Sequence, residues 1–376
     1  MRSISIPQLY SSLYSRLVQM MPDDCDSRLT NLVYLMMALV GGRSVQIGRI
    51  AAHVPVRAKK QSLVRRLERF LDNGAIRVRQ WYERIDKDLL AAASAAGEVH
   101  LIIDSTKVSF NHQLLMVALA YRRCALPIAW TWVAHKRGHS TMHQQLALLS
   151  YVRSLLPQGV KASLVGDCEF GHSQIIEQLQ LWQWDYALRE SGQTLVGLYE
   201  GQTWLRLDEL LTHAGTFHWF GFVQLTAAHA QATHLFACWK RGELTPWLLA
   251  TNLTHPSAIL RLYHRRMWIE ELFAHLKGHG FDLESSHMRS FLHLSRLTLA
   301  VALVYVWLIA FAADLVAQGL RPQVDRSNRR DLSLFRIAWD YLQQLLTWGD
   351  PFQVSFIPIF GPLPAFSPAG YLLSGS

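Results

Sequence analysis

Residues 99–190 contain a series of short apolar segments whose order restricts the fold more than any other feature of the chain. Strand-like segments follow one another at 99–108, 114–121 and 127–135, and a helix-length stretch comes next at 140–156. A strand at 162–170, a helix at 171–182 and a strand at 184–190 complete the series. The order strand, strand, strand, helix, strand, helix, strand predicts an antiparallel meander that continues into a mixed α/β sheet flanked by helices.

Two aspartates end strands of this series. Asp104 ends the apolar part of the first strand, and Asp167 lies at the C-terminal end of the fourth. A single aspartate at such a position is more often a turn or cap residue than a functional one. Two that meet a third carboxylate from a helix could instead hold a hard divalent cation, which prefers oxygen ligands.

A third carboxylate is available in the stretch YHRRMWIEELFAHLK at 263–277. The stretch lacks Gly and Pro, and its apolar residues recur at helical spacing, which predicts one amphipathic helix. Four polar side chains lie beside its apolar stripe: Tyr263, Arg266, Glu270 and Lys277. Ordinary ion pairs on a helix surface would account for the charged three. A carboxylate flanked by phosphate-binding groups would also suit a metal-dependent enzyme that acts on a nucleic-acid backbone.

The spacing Tyr, two residues, Arg, three residues, Glu, six residues, Lys resembles the signature of DDE transposases of the insertion-sequence-four family. The resemblance covers about residues 100–310 and implies an RNase H-like core, a five-stranded mixed sheet interrupted by a β-rich insertion. It implies that the catalytic residues, which hold two Mg²⁺ ions (Mn²⁺ as a substitute), are Asp104, Asp167 and Glu270. It also implies that the residues that bind DNA at the cleavage site are Tyr263, Arg266 and Lys277.

Some positions depart from the family or leave a choice open. Cys168 and Glu169 stand where the family often has Arg and Gly, and Glu169 either neighbours the proposed metals or points away. Arg189 either guides the DNA backbone or pairs with Glu190. Family members that cut through a hairpin stack a flipped base on a tryptophan of the insertion, and the sequence does not choose among Trp204, Trp219, Trp239 and Trp247.

The N-terminal part of the chain is basic. The net charge is +9, and most of the excess lies between residues 43 and 88. Two short helices with a tight connection, the second at 58–73, resemble a helix-turn-helix. The expected DNA-binding residues of the second helix are Lys59, Lys60, Arg65, Arg66 and Arg69. A basic helix that is merely solvated is the alternative.

The expected division of the chain follows from these segments. We expect a helical DNA-binding domain at 1–97, the first part of the core at 98–190 and a β-rich insertion at 191–256. The second part of the core, with the helix of Glu270 and a long apolar helix packed behind it, is expected at 257–320. A C-terminal helix and an extended tail are expected at 321–376.

The resemblance, together with these features, implies a transposase that binds the terminal inverted repeats of a mobile element, cuts the DNA and joins it to a target, with a homodimer expected on paired ends. An RNase H-like nuclease without strand transfer and an inactive DNA-binding protein are the alternatives. Four cysteines without paired spacing and no signal peptide favour a prokaryotic cytoplasmic, nucleoid-associated protein. The uncharged segment 297–313 is near the length of a membrane span, about 20 residues, but we expect a buried core helix there and no membrane partner.

Overall fold

The computed structural model describes residues 5–108, 110, 112–134, 139–198, 203–211, 213–326 and 332–362. The α-helices in these residues are α1 Ser5–Met20, α2 Asp26–Gly42, α3 Ile47–Ile50, α4 Lys60–Asp72, α5 Val78–Ala95, α6 Met142–Leu155, α7 Ser173–Leu181, α8 Pro256–Tyr263, α9 Trp268–Leu276, α10 Phe291–Ala317 and α11 Leu334–Trp348. The strands are β1 Val99–Val108, β2 His112–Tyr121, β3 Cys124–Ala134, β4 Ala162–Gly166, β5 Asp185–Arg189, β6 Leu195–Gly197, β7 Leu205–Arg206, β8 Thr216–Leu225, β9 Gln231–Trp239 and β10 Trp247–Thr251.

The chain forms two compact units. The helical unit comprises Met1–Ala92 and Ala274–Ser376, and the sheet unit comprises Ala93–Phe273. The five segments expected from the sequence do not coincide with these units, because the N-terminal helices and the C-terminal third of the chain share one of them. That functional division stays a prediction.

In the helical unit, the long helix α10 packs against α2, α4 and α11. It is apolar on all sides, and such a helix must be covered on every face. We expected it behind the helix that carries Glu270, whereas its main partners are these N-terminal and C-terminal helices. Among the described residues it alone is long and apolar enough to cross a bilayer, and 89% of that apolar window is buried inside the protein.

In the sheet unit, the strand order is β3-β2-β1-β4-β5-β10-β9-β8-β6-β7. β1 pairs antiparallel with β2 and parallel with β4, and β4 pairs parallel with β5. The mixed sheet expected from the sequence is therefore confirmed, and its first five strands are contiguous.

The segment expected as an insertion is rich in strands, but these strands extend the same sheet. β10 pairs antiparallel with β5, with Leu249 opposite Arg189, and β9 and β8 continue outward from there. The sheet has ten strands in the described residues because this pairing places the added strands beside the first five.

The remaining expectations concern the two ends of the chain. Helix α4 is confirmed, and α3 with the 3₁₀ turn Ala51–His53 replaces the single helix expected before it. At the other end α11 is confirmed, and residues 349–362 have no helix or strand. The rest of the expected tail, 363–376, lies outside the described residues.

Arg296 of α10 is a buried cation that holds the end of α4. Its Nη1 donates to the carbonyl oxygen of Leu71 at 2.5 Å, and its Nε donates to that of Ile76 at 3.3 Å. These carbonyls belong to the last turn of α4 and the segment after it, where no helical donor follows. Arg296 therefore joins the long helix to the N-terminal helices.

We expect Arg296→Leu to lower the free energy of unfolding by about 2–4 kcal/mol, because two buried carbonyls lose their donor. Urea unfolding followed by circular dichroism measures the change. Arg336→Leu is the matched control, since Arg336 is exposed and pairs with Asp340 across one helical turn. Such a surface pair contributes less than about 1 kcal/mol. Equal losses in the two variants would contradict the role given to Arg296.

Candidate active site

Asp104 and Asp167 reach the same edge of the sheet. β1 and β4 are parallel, and Ile103 is aligned with Gly166, the residues that immediately precede the two aspartates. The backbone N–H of Ser105 donates to Asp104 Oδ1 at 2.7 Å, and that of Glu169 donates to Asp167 Oδ1 at 2.9 Å. The fold thus orients Asp104 from within β1, which continues to Val108, and Asp167 from the position directly after β4.

The two carboxylates are held in a poorly solvated place. Asp104 is 7% exposed, and burial together with the negative charge of Asp167 raises the pKa of Asp104 to about 7. Burial also raises the pKa of Asp167, against the hydrogen bond from the Glu169 N–H and the charge of Arg266. Two neighbouring negative charges disfavour joint ionisation, so a positive charge beside Asp104 and Asp167 stabilises their ionised forms.

Arg266 supplies positive charge in this structure. Its Nη1 donates to Asp104 Oδ2 at 3.1 Å, and its Nη2 donates to Glu270 Oε1 at 2.6 Å. The arginine side chain is only 15% exposed, whereas Glu270 is about half exposed. Glu270 is thereby linked to Asp104 through the guanidinium.

The signature residues do not lie on one helix, which corrects the sequence-based expectation. α8 ends at Tyr263, the 3₁₀ helix His264–Met267 contains Arg266, and α9 contains Glu270. A 3₁₀ turn has about three residues per turn and so breaks the single strip of side chains. Lys277 follows α9, and its Nζ lies 3.2 Å from Glu284 Oε1.

Tyr263 has its ring inside the sheet unit. The ring packs edge to face against Trp247 with centroids 5.0 Å apart, and Lys240 Nζ lies 4.2 Å from the centroid of Trp247. Burial raises the pKa of Tyr263 to about 12, against the positive charges of Arg266 and Arg189. The phenol is therefore neutral at physiological pH.

Arg189 lies at the end of β5, next to the strand that carries Asp167. Its Nη2 donates to Thr245 Oγ1 at 2.9 Å and to the Pro246 carbonyl at 3.0 Å. Its charge acts on both Asp167 and Tyr263. The alternative pairing with Glu190 is not formed.

Glu169 is a second residue near the site, after Arg189, whose role the sequence left open. Its carboxylate accepts hydrogen bonds from Ser105, Gln113 and Ser140. The only signal in the sequence was its position two residues after Asp167, which did not reveal these donors.

The basic residues of α4 differ in their surroundings. Lys59, Lys60, Arg65 and Arg69 are exposed. Arg66 is half buried, since its Nε donates to Asn31 Oδ1 at 2.6 Å and its guanidinium lies 4.7 Å from the ring centroid of Tyr34. Arg66 thus holds α4 against α2, and the other four side chains face solvent.

The geometry defines a class of protein: an α/β protein with carboxylates side by side on two neighbouring parallel strands, one within β1 and one directly after β4, an arrangement suited to metal-dependent phosphoryl transfer. Residues 95–307 match the family model described as the transposase DDE domain. The match spans more than half of the chain, and the chain belongs to this family, whose members are DNA-cleaving, strand-transferring enzymes that use divalent metal.

The chain was also compared with curated proteins and with solved structures. No curated protein matches the chain. Among solved structures, the chain is similar to a piggyBac transposase in the cryo-EM structure of its synaptic complex with hairpin DNA, with 9% sequence identity and a TM-score of 0.43. The similarity covers 90% of this chain and 78% of that one.

The donor set at the sheet edge fits a divalent cation in chemical type. Asp104 and Asp167 offer carboxylate oxygens, the ligands that Mg²⁺ and Mn²⁺ prefer. The predicted cluster of three is not assembled, however, because Glu270 is paired with Arg266. Across the described ranges no group of three His, Cys, Asp or Glu side chains is arranged in this structure to hold a metal ion.

Glu190, directly after β5, is a buried acid next to Arg189 in the chain. It is 3% exposed, and Thr194 Oγ1 donates to its Oε2 at 3.4 Å. In the part of the chain that the structure describes, no donor reaches its Oε1. Burial raises the pKa of Glu190 to about 8, so the acid is neutral at pH 7.

This shift predicts a pH-dependent stability. The folded-state pKa of about 8 lies above the ordinary 4.5, so the contribution of Glu190 is fully present below pH 4.5 and is lost as the pH rises through 8. We expect Glu190→Gln to remove this loss and to exceed the wild type at pH 9 by about 3–5 kcal/mol in unfolding free energy. Urea unfolding at several pH values tests this, and parallel profiles for the two proteins would contradict it.

Proposed function

We propose that this chain is the DNA transposase of an insertion sequence, related to the insertion-sequence-four family, with an RNase H-like core formed by β1 to β5. It would bind the terminal inverted repeats of its element, cleave DNA at the ends and join them to target DNA. The observation that carries the proposal is the pair formed by the buried Asp104 on β1 and the half-buried Asp167 directly after β4, inside the segment that matches the transposase DDE domain.

We assign catalysis to Asp104, Asp167 and Glu270, with two Mg²⁺ ions as the natural cofactor. When bound, the ions would activate the attacking oxygen and stabilise the leaving oxygen of a phosphodiester. The protein's part is to hold the carboxylates in place, with Asp104 and Asp167 fixed by the sheet. Glu270 is half exposed and would have to exchange Arg266 for the cation.

Arg266, once it leaves Asp104 and Glu270, is suited to grip a phosphate. A guanidinium binds carboxylate and phosphate oxygens with the same paired geometry, so one side chain serves in both situations. Arg189 is fixed by Thr245 and Pro246 close enough to Asp167 to act on its pKa, and we assign it to the DNA backbone as well.

Tyr263 and Trp247 form the aromatic part of the proposed DNA-binding surface. Trp247 contacts Tyr263, which distinguishes it from the other tryptophans of residues 191–256 considered above. We therefore propose Trp247 as the residue that stacks on a displaced base, the arrangement that aromatic side chains commonly provide. Lys277 stays a proposed DNA contact.

The proposed partners are the two transposon ends and the target duplex, bound by a homodimer in the prokaryotic cytoplasm at the nucleoid. The exposed cations of α4 support DNA binding, because phosphate contacts are made mostly by Lys and Arg. The helix-turn-helix reading rests on α3, the 3₁₀ turn after it and α4.

We expect Asp104→Asn or Asp167→Asn to abolish Mg²⁺-dependent cleavage of an end-labelled duplex taken from the DNA flanking the coding sequence. Binding of the same duplex should persist, because the cations of α4 are untouched. Asp185→Asn is the matched control at the opposite end of β5, where Asp185 lies near Lys161. Cleavage by the Asp104 variant would contradict the catalytic role given to this residue. A wild type that cuts the DNA without later joining it to a target would favour an RNase H-like nuclease without strand transfer. A wild type that binds DNA but makes no product would favour the inactive DNA-binding protein.

The α4 surface gives a second prediction. Lys59→Ala and Arg65→Ala should each weaken DNA binding and reduce the slope of log K against log salt by about 1, because one phosphate contact is lost. Arg66→Ala should instead lower thermal stability, since Arg66 packs on Asn31 and Tyr34. Unchanged salt slopes for Lys59 and Arg65 variants would remove this face of α4 from the DNA interface.

A further inference from the structure

Glu169 is the most heavily hydrogen-bonded carboxylate near the acidic edge. Its Oε1 accepts from the backbone N–H of Ser140 at 2.7 Å and from Ser140 Oγ at 2.6 Å. Its Oε2 accepts from Ser105 Oγ at 2.8 Å and from Gln113 Nε2 at 3.3 Å, and His139 Nδ1 lies 3.6 Å away. Both oxygens are thus already engaged by the protein.

These donors come from three separate segments of the chain. Ser105 follows Asp104 on β1, Gln113 lies on β2, and Ser140 precedes α6. Gln145 of α6 adds a second tie, because its Nε2 donates to Ser140 Oγ at 2.9 Å and to the Glu169 carbonyl at 3.3 Å. Glu169 therefore joins the turn after β4 to β1, β2 and α6.

The same turn and strand carry the two aspartates. The Glu169 N–H holds Asp167 Oδ1, and the Ser105 N–H holds Asp104 Oδ1. The contact between Ser105 Oγ and the Glu169 carboxylate connects these two backbone positions. Movement of either one would change the separation of the aspartates.

We propose that Glu169 is a positioning residue that fixes Asp104 relative to Asp167 for a divalent cation, and that it is not itself a ligand. This inference rests on the proposed function of the site. Its physical ground is that a carboxylate with two donors on each oxygen has no free lone pair in its plane for a metal. When residues that orient metal ligands without binding the metal are removed, the metal affinity commonly changes by about 10–100-fold.

A neutral isostere separates positioning from ligation. In Glu169→Gln the amide oxygen can keep both Ser140 donors, and the amide NH₂ can donate to Ser105 Oγ. Gln113 reaches Glu169 through its Nε2, so in this variant its amide would turn to present Oε1, which is buried and accepts no hydrogen bond from any described residue, to the second N–H. The network therefore survives without the charge, whereas Glu169→Ala removes it.

The test is a titration of the full-length protein, bound to a DNA duplex, with Mn²⁺ alone, followed by the electron paramagnetic resonance signal of free Mn²⁺. We expect Glu169→Ala to raise the Mn²⁺ dissociation constant by at least about tenfold. Glu169→Gln should stay within about threefold of the wild type, and Asp104→Asn should lose the site. The double variant Ser105→Ala, Ser140→Ala should resemble Glu169→Ala, which guards against a local failure to fold in the alanine variant.

Gln180→Ala is the control for general loss of stability. Gln180 holds a polar network on Tyr186 and the Ala232 carbonyl in the same unit. This variant should lower the melting temperature without a change in Mn²⁺ affinity.

If Glu169→Gln loses the site as fully as Asp104→Asn, Glu169 is a ligand and the inference fails while the proposed function stands. If Glu169→Ala binds Mn²⁺ like the wild type, the inference also fails. A wild type that binds no Mn²⁺ would overturn the proposed metal site itself, and the inference with it.

Discussion

The repulsion between the carboxylates of Asp104, within β1, and Asp167, directly after β4, is the constraint on which the acidic edge depends. Coulomb energies grow as the local dielectric falls, so Asp104 and Asp167 cannot both remain ionised there without a positive charge nearby. Arg266 offsets part of this repulsion by donating to Asp104 while it also holds Glu270, and the pKa of Asp104 is still raised to about 7. A guanidinium and a divalent cation are alternative partners for the same oxygens. The pairing seen here is therefore compatible with later metal binding, although the two cannot occupy the same oxygens at once.

The position of Arg266 depends on a local irregularity that residue types do not reveal. The periodicity of residues 263–277 predicts a continuous helix, and Arg266 and Glu270 do pair at the helical spacing of four. The 3₁₀ helix at His264–Met267 differs from an α-helix in which carbonyl each N–H reaches, and the same side chains are compatible with both. The identity of the site residues could thus be proposed from the sequence. The 3₁₀ turn that prevents them from forming a single strip along one helix could not.

The first five strands and their order along the chain could be predicted because short apolar runs and turn residues are local properties. The pairing of β10 with β5 and the packing of α10 on α2, α4 and α11 join segments far apart in the chain, which periodicity cannot encode. Glu169 shows the same limit on a smaller scale. The strand ends at Gly166, so the rule that alternate residues share a face no longer applies two residues after Asp167. Only the folded positions of Ser105, Gln113 and Ser140 reveal where its carboxylate points.

The charge balance around the site bears on how metal and DNA would act together. Four acidic side chains, Asp104, Asp167, Glu169 and Glu270, and two arginines, Arg266 and Arg189, surround the site, while Glu190 is neutral at pH 7. A phosphodiester would add negative charge to this edge and would compete with the carboxylates for Arg266. Cation binding would relieve both effects, so each ligand would increase the affinity of the other, as linkage requires for any pair of coupled ligands. An acidic edge with only two arginines would therefore bind metal and DNA together more favourably than it binds either one alone.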